Sequence, residues 1–270
     1  MNSSVIVLFS GQGAQKVGMG LDYYEQEPMA KPYFDRAREV LGDEFLRVLF
    51  EGPAQELTRT SYCQPALYLH GYVTLQLLKA KFPELKIVGA AGLSLGEFTA
   101  HAAAGTFSFE QGLTIVAKRG ALMEDACLNT AGTMAAMIGG EVEAVEQLAA
   151  DCGVDVANYN APGQIVLSGT KEGIAKAVGL AKERGVRMAK ELQVAGAYHS
   201  QLMLSAQEGL AKVLEDEVLS DPQIPVISNF STEKPNTASA IKADLKRCKS
   251  ITTHPQSYSH LVSCISSKYS

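Results

Sequence analysis

Ser94 lies in Gly92-Leu93-Ser94-Leu95-Gly96, a G-x-S-x-G pattern between the apolar run Lys86-Ile87-Val88-Gly89-Ala90 and a small-residue segment, Glu97 to Ala104. On a strand-to-helix turn this spacing builds a nucleophile elbow. The glycines make room for a strained backbone, and the serine oxygen is presented at a helix N-terminus. The competing reading is a glycine-rich turn with an incidental serine; the strand and helix patterns on either side favour the elbow. A serine hydroxyl attacks poorly until a base draws off its proton, and the chain offers five histidines. His70 falls inside an apolar helical pattern and reads as a core or helix-face residue. His101 follows Ser94 by seven residues on the departing helix, about two turns away from any reaction centre. His254 and His260 sit in a C-terminal segment unlike the rest of the chain. His199 remains, in Gly196-Ala197-Tyr198-His199-Ser200, at a strand-to-helix junction of the kind where α/β sheets place functional groups. Its alternative is an N-terminal helix residue with no special role.

Two further groups have chemical potential. Gly11-Gln12-Gly13-Ala14-Gln15 follows the first apolar run. A phosphate cradle is the obvious rival, but G-x-G-x-x-G and the Lys-Ser/Thr of a P-loop are both missing. The glycines would instead let the Gln12 backbone approach a reacting carbonyl. Its N–H and that of Leu95, after the serine, would then form an oxyanion hole. Arg119 stands among small apolar neighbours in a helical pattern. There a guanidinium either snorkels to solvent or meets an anion, and bidentate pairing with a carboxylate is its strongest use.

The elements that must position these groups alternate. Val5 to Phe9 reads as a buried strand. Helical patterns cover Lys31 to Leu41 and Pro65 to about Phe82. Lys86 to Ala90 reads as a strand, and Glu97 to Ala104 and Phe109 to Ala126 as helices. This order predicts a parallel sheet covered on both faces. The middle third changes rhythm. Strands are expected at Thr133 to Ile138, Val154 to Asn158, Gln164 to Leu167 and Val186 to Val194, with helices at Val142 to Ala150 and Lys171 to Glu183. That order, β-α-β-β-α-β, is the ferredoxin-like split motif, so residues 132–195 are expected to form an inserted subdomain within a core made of 1–131 and 196–244. A helix from Ser200 to about Leu214 and a strand at Pro225 to Asn229 follow. Residues 245–270 are an atypical tail, rich in Ser and lacking both acidic residues and glycine.

Composition narrows the function classes. The chain has 270 residues, 46% hydrophobic and 20% charged, as expected of a folded globular protein rather than a disordered one. A net charge of −5 and the absence of Trp argue against a general nucleic-acid binder. The five cysteines are scattered and odd in number, without a C-x-x-C pair, which suits reduced thiols in the cytoplasm. The apolar runs fall short of the ~20 residues that a spanning helix needs. No metal-ligand spacing stands out, so no metal, nucleic-acid or membrane partner is expected.

Phe9-Ser10-Gly11-Gln12-Gly13-Ala14-Gln15, Gly92-Leu93-Ser94-Leu95-Gly96-Glu97, Lys118-Arg119-Gly120-Ala121-Leu122-Met123 and Ala197-Tyr198-His199-Ser200 occur in family order. With them the chain resembles the malonyl-CoA:acyl carrier protein transacylases, which load malonyl units for fatty-acid synthesis. Asn158-Tyr159-Asn160-Ala161-Pro162-Gly163-Gln164 and Ile227-Ser228-Asn229 also look like family segments, and the resemblance runs from about residue 5 to residue 235. It implies an α/β-hydrolase-like core with the ferredoxin-like insert. It implies Ser94 as acyl-accepting nucleophile, His199 as base, Gln12 and Leu95 at the oxyanion hole and Arg119 as partner of the malonyl carboxylate. Met123, Asn160 and Tyr198 are expected to line the substrate. Two features depart from the family pattern. Leu93 stands where many members carry His. After Asn229, the family's Gln, its Pro-Val-x-Trp segment and its glycine-rich terminal element do not appear, so the histidine-orienting role of that Gln is assigned to no residue here.

The reaction expected from this resemblance is ping-pong transfer of malonyl from malonyl-CoA to the phosphopantetheine thiol of acyl carrier protein. It needs no bound cofactor, and a monomer is expected. An α/β-hydrolase-type esterase or thioesterase shares G-x-S-x-G but expects the order Ser, Asp/Glu, His, with the histidine near the chain end. A carrier-protein-binding pseudoenzyme is the non-enzymatic alternative.

Overall fold

The structure, a computed structural model, describes residues 4–247 and divides into two compact units. One unit takes the chain up to Leu122 with Leu210–Ser228 and Glu233–Ala243; the other takes Met123–Gly209, Asn229–Thr232 and the chain from Asp244. The architecture is mixed α/β, with one parallel and one antiparallel sheet.

The first unit opens with β1 (Ser4–Phe9), followed by α1 (Leu21–Gln26), α2 (Lys31–Leu41), α3 (Asp43–Glu51), α4 (Ala54–Thr58) and α5 (Thr60–Lys81). Then come β2 (Lys86–Gly92), α6 (Leu95–Ala103) and the start of α7 (Phe109–Leu128). The strands β1 and β2 pair in parallel from Ser4↔Lys86 to Phe9↔Gly92, with one irregularity between Val5 and Ile6. The strand expected at Pro225 to Asn229 is reduced to a single parallel bridge, Val226↔Ala90. Ala90 N–H donates to Pro225 O (2.9 Å) and Ile227 N–H to Ala90 O (3.2 Å). Proline has no N–H for a longer ladder, and Ser228 N–H already turns away to Glu233 O (3.0 Å). The helix expected to begin at Pro65 begins at Thr60, so the proline lies inside it. Pro normally marks a helix start, and here that signal hid the preceding turn.

The second unit contains β3 (Gly132–Ile138), α8 (Val142–Cys152), β4 (Asp155–Ala161), β5 (Gln164–Thr170), α9 (Lys171–Leu180) and β6 (Met188–Glu191). Its sheet runs β4-β5-β3-β6 with every neighbouring pair antiparallel. Met137, Leu148, Ile165, Leu167 and Ile174 are buried together where the helices meet the sheet. Thr170 caps α9 by accepting the Gly173 N–H at 3.0 Å. The last strand is shorter than the alternation over Val186 to Val194 predicts, because it pairs with β3 only over Ala135–Ile138.

The helix expected from Ser200 starts as a 3-10 turn, Gln201–Met203, and becomes regular in α10 (Leu204–Asp216). A helix that no periodicity announced, α11 (Ala238–Lys246), buries only Ile241 and Leu245. Two apolar positions four apart are too few for a recognisable stripe. The atypical segment begins in the last turn of α11, and from residue 248 it lies outside the described residues. No helix among the described residues is long and apolar enough to cross a membrane.

Candidate active site

In the first unit, β2 ends at Gly92 and α6 begins at Leu95, leaving Ser94 as the N-cap residue with φ 52° and ψ −103°. A positive φ at a non-glycine residue stores about 1–3 kcal/mol and holds the serine oxygen at the helix N-terminus. The surrounding packing keeps the backbone there. A Cβ on Gly96 would collide with Phe9 O, so glycine lets the first turn of α6 rest on the end of β1. A Cβ on Gly11 would stand 2.6 Å from Leu93 O, and Leu93 N–H donates to Phe9 O at 3.1 Å. The Gly11–Gly13 loop and the serine elbow are thus packed backbone against backbone. Leu95 is the first residue of α6, where an N–H has no acceptor within its own helix.

Arg119, on α7, is 2% exposed. Of its two open courses, it does not take the one to solvent. One guanidinium nitrogen donates to Ser94 Oγ at 2.9 Å and another to Gln64 Oε1 at 2.6 Å. Its guanidinium carbon lies 5.3 Å from the centre of the Phe98 ring. Gly120 makes this reach possible: a Cβ there would be 2.5 Å from Thr60 O, so α7 and α5 touch beside the arginine. Gln64 is 1% exposed and is a member of the site that no sequence motif marks. The sequence pattern starts the helix at Pro65, one residue after Gln64, so nothing in it singles out this amide.

Gln15 holds the neighbouring loop. Its Oε1 accepts the Gly13 N–H at 2.8 Å and the Cys63 thiol at 3.1 Å. Burial pushes that thiol up to about 12, with the Gly13 N–H acting against the shift.

The other expected residues belong to the second unit. His199 is 6% exposed and adopts φ 61°, a left-handed conformation that is uncommon outside glycine and that histidine takes more readily than most side chains. Its loop is tied locally. Ser200 Oγ donates to Ala197 O (2.7 Å) and accepts the Leu202 N–H (3.2 Å). Tyr198 is buried and its side chain hydrogen-bonds the Cys127 thiol, which burial drives up to about 11 against that bond. Met123 is buried at the start of this unit, and Asn160 is partly exposed on β4.

The histidines set aside on sequence grounds have structural surroundings. His101 is buried in α6, its Nδ1 3.3 Å from Thr106 Oγ1, and burial pushes its pKa down to about 3. His70 stacks on Tyr23 with ring centres 5.3 Å apart, and burial lowers its pKa. His254 and His260 lie outside the described residues. No group of three or more His, Cys, Asp or Glu among the described residues could hold a metal ion.

Known proteins match this arrangement along most of the chain. Residues 6–257 match the acyl transferase domain family. The malonyl CoA-acyl carrier protein transacylase of Bacillus subtilis is 43% identical over 251 residues, covering 90% of this chain and 77% of the relative. A polyketide-biosynthesis malonyl CoA-acyl carrier protein transacylase of the same organism is 40% identical, covering 89% and 82%. Among solved structures, a malonyl-CoA:acyl carrier protein transacylase from Xanthomonas oryzae superposes with a TM-score of 0.89 at 32% identity, covering 98% of this chain and 85% of that one. A malonyl-transacylase solved in complex with its type II polyketide acyl-carrier protein gives 0.91 at 30% identity, covering 98% and 86%. The chain belongs to the acyl transferase family, in its group of malonyl CoA-acyl carrier protein transacylases.

Proposed function

We propose that this protein is an [acyl-carrier-protein] S-malonyltransferase, moving malonyl from malonyl-CoA to the phosphopantetheine thiol of acyl carrier protein through a malonyl-Ser94 ester. The observation that carries this reading is the guanidinium of Arg119 at 2.9 Å from Ser94 Oγ. Arg stays protonated at any working pH, so it cannot be the base; it is a fixed positive charge beside the nucleophile. Malonyl is a short acyl group whose carboxylate lies two carbon–carbon bonds from the carbonyl that Ser94 attacks. A receptor for that carboxylate must therefore sit next to the serine. An uncharged acetyl group would bring no counter-charge to the guanidinium, whose neighbours Gln64 and Ser94 are neutral, at a cost of a few kcal/mol.

In the proposed cycle His199 takes the Ser94 proton as Oγ bonds to the thioester carbon. The N–H groups of Gln12 and Leu95 receive the oxyanion. The carbon–sulfur bond breaks, His199 passes its proton to the departing sulfur, and coenzyme A leaves as the free thiol, which returns the imidazole to its neutral form. The carrier's thiol then gives its proton to His199 and attacks the ester, and Ser94 Oγ recovers the proton as it departs. Met123, Asn160 and Tyr198 line the acyl path. These residues need no bound cofactor for the reaction, and the enzyme is read as a cytoplasmic monomer. In the same reading, 1–131 and 196–244 form an α/β-hydrolase-like core around a ferredoxin-like insert, 132–195. The strand order β4-β5-β3-β6 with its two helices supports the insert.

The test is mass spectrometry after incubation with malonyl-CoA, followed by addition of carrier protein. A malonyl adduct on Ser94 that moves to the carrier is expected. An adduct elsewhere would overturn the nucleophile, and release of free malonate in place of transfer would make the protein a thioesterase.

A further inference from the structure

Helix α5 presents Cys63 and Gln64 in succession, and the two side chains reach different parts of one site. Gln64 Oε1 accepts from Arg119 at 2.6 Å, while Cys63 Sγ donates to Gln15 Oε1 at 3.1 Å. That same oxygen accepts the Gly13 N–H at 2.8 Å, and the Gly13 N–H also bears on the Cys63 sulfur. Gly13 adopts φ 108° and, like Ala14, is exposed. A glycine loop at the surface is mobile unless something outside it holds it. Here the holder is a fully buried thiol on the long helix α5, acting through one amide oxygen.

A thiol in that setting is a donor and a poor nucleophile. Burial disfavours its thiolate, so the S–H stays in place to bond Gln15. Gln12, directly before the clamped Gly13, carries the N–H assigned to the oxyanion. Such a donor accelerates the reaction only if it is aimed before the charge develops.

We propose that Cys63 is a positioning residue for acyl transfer: through Gln15 it fixes the Gly11–Gly13 loop so that the Gln12 N–H meets the developing oxyanion. This rests on the reading of Gln12 as an oxyanion donor. Cys63 touches neither substrate nor reacting atoms; it acts at one remove, and its side-chain chemistry matters as a donor rather than as sulfur.

The test compares Cys63→Ala, Cys63→Ser and Gln15→Met in the full-length protein. Three quantities are read: the single-turnover rate of Ser94 malonylation, the malonyl-CoA dissociation constant, and hydrogen exchange at the Gln12 and Gly13 amides. Cys63→Ala and Gln15→Met are expected to slow malonylation about 10–10²-fold, the scale of a misaimed group, with binding changed less than about twofold. Exchange at Gln12 and Gly13 rises in both. Cys63→Ser keeps a donor and recovers most of the rate, which separates positioning from simple packing loss. The proposal is overturned if Cys63→Ser is as slow as Cys63→Ala, or if loop exchange and rate are unchanged while the unaltered enzyme still malonylates Ser94. Faster exchange with an unchanged rate overturns it differently: the clamp then exists, and it is the oxyanion role of Gln12 that fails.

Discussion

The Arg119 guanidinium bridges Ser94 Oγ at 2.9 Å and Gln64 Oε1 at 2.6 Å, so the elbow serine and a cation share one hydrogen-bonded arrangement in the first unit. In the proposed function, the cation's position next to the serine ties acyl selection to the attacking atom itself.

Replacing Arg119 should therefore split the substrates. Arg119→Ala is expected to cut transfer from malonyl-CoA roughly 10–10²-fold, the value of a charge-assisted pair, while transfer from acetyl-CoA is kept or rises. Parallel assays with the two thioesters measure this. Equal loss on both would make the arginine structural.

Gln64 offers a gentler handle. Gln64→Glu keeps the shape but supplies a carboxylate that pairs with Arg119 internally and repels the malonyl carboxylate. Malonyl transfer should fall about tenfold or more, chiefly in KM, with acetyl transfer little changed. A mutant with unaltered malonyl-to-acetyl preference would refute the coupling.

The positive φ of Ser94 carries its own prediction. Ser94→Ala and Ser94→Gly both lack the nucleophile and should show no malonyl adduct. They differ in strain, because glycine adopts φ 52° freely. Relief of about 1–3 kcal/mol, less the about 0.5–1 kcal/mol entropy cost of glycine, should leave Ser94→Gly melting above Ser94→Ala by as much as about 10 °C and no lower than it. A Ser94→Gly protein that melts below Ser94→Ala would show that the elbow is unstrained.

His101 makes stability depend on pH. Its folded pKa of about 3 lies below the ordinary value of about 6.5, so between these values the unfolded chain binds a proton that the folded one refuses. The contribution is intact above about pH 6.5 and is lost as pH falls toward 3. Denaturant titrations should show about 2 kcal/mol less stability at pH 5 than at pH 7 from this residue. His101→Gln should flatten that difference and keep transferase activity, whereas His199→Ala should slow malonylation roughly 10²–10⁴-fold. A His101→Gln enzyme as impaired as His199→Ala would reverse the choice of base.

What the sequence made legible was local. The Ser94 elbow, α7 and the β-α-β-β-α-β order follow from glycine spacing and from hydrophobic periods contained in short windows. The ties that complete the site join positions far apart in the chain: Gln64 to Arg119 spans 55 residues and Gln15 to Cys63 spans 48. No periodicity encodes such a pairing, and an amide one residue ahead of the expected helix carries no signal until its partner is in view. The elements that differ from expectation have local causes. Val226 pairs at a single residue because Pro225 lacks an N–H and Ser228 turns to Glu233 O, and α11 has too few apolar residues to announce itself.

The backbone contacts of Gly11 with Leu93 and of Gly96 with Phe9 bear on inhibition. Two loops that touch main chain to main chain form a rigid template, so a ligand shaped like the tetrahedral intermediate would meet a mould already cast rather than inducing one. A boronic acid bearing a carboxymethyl arm has that shape. Ser94 Oγ would bond to boron, a boronate oxygen would take the place of the oxyanion, and the arm would lie toward Arg119. With little reorganisation to offset the contacts, such a compound should bind more tightly than its methyl counterpart, by the worth of one carboxylate–guanidinium pair.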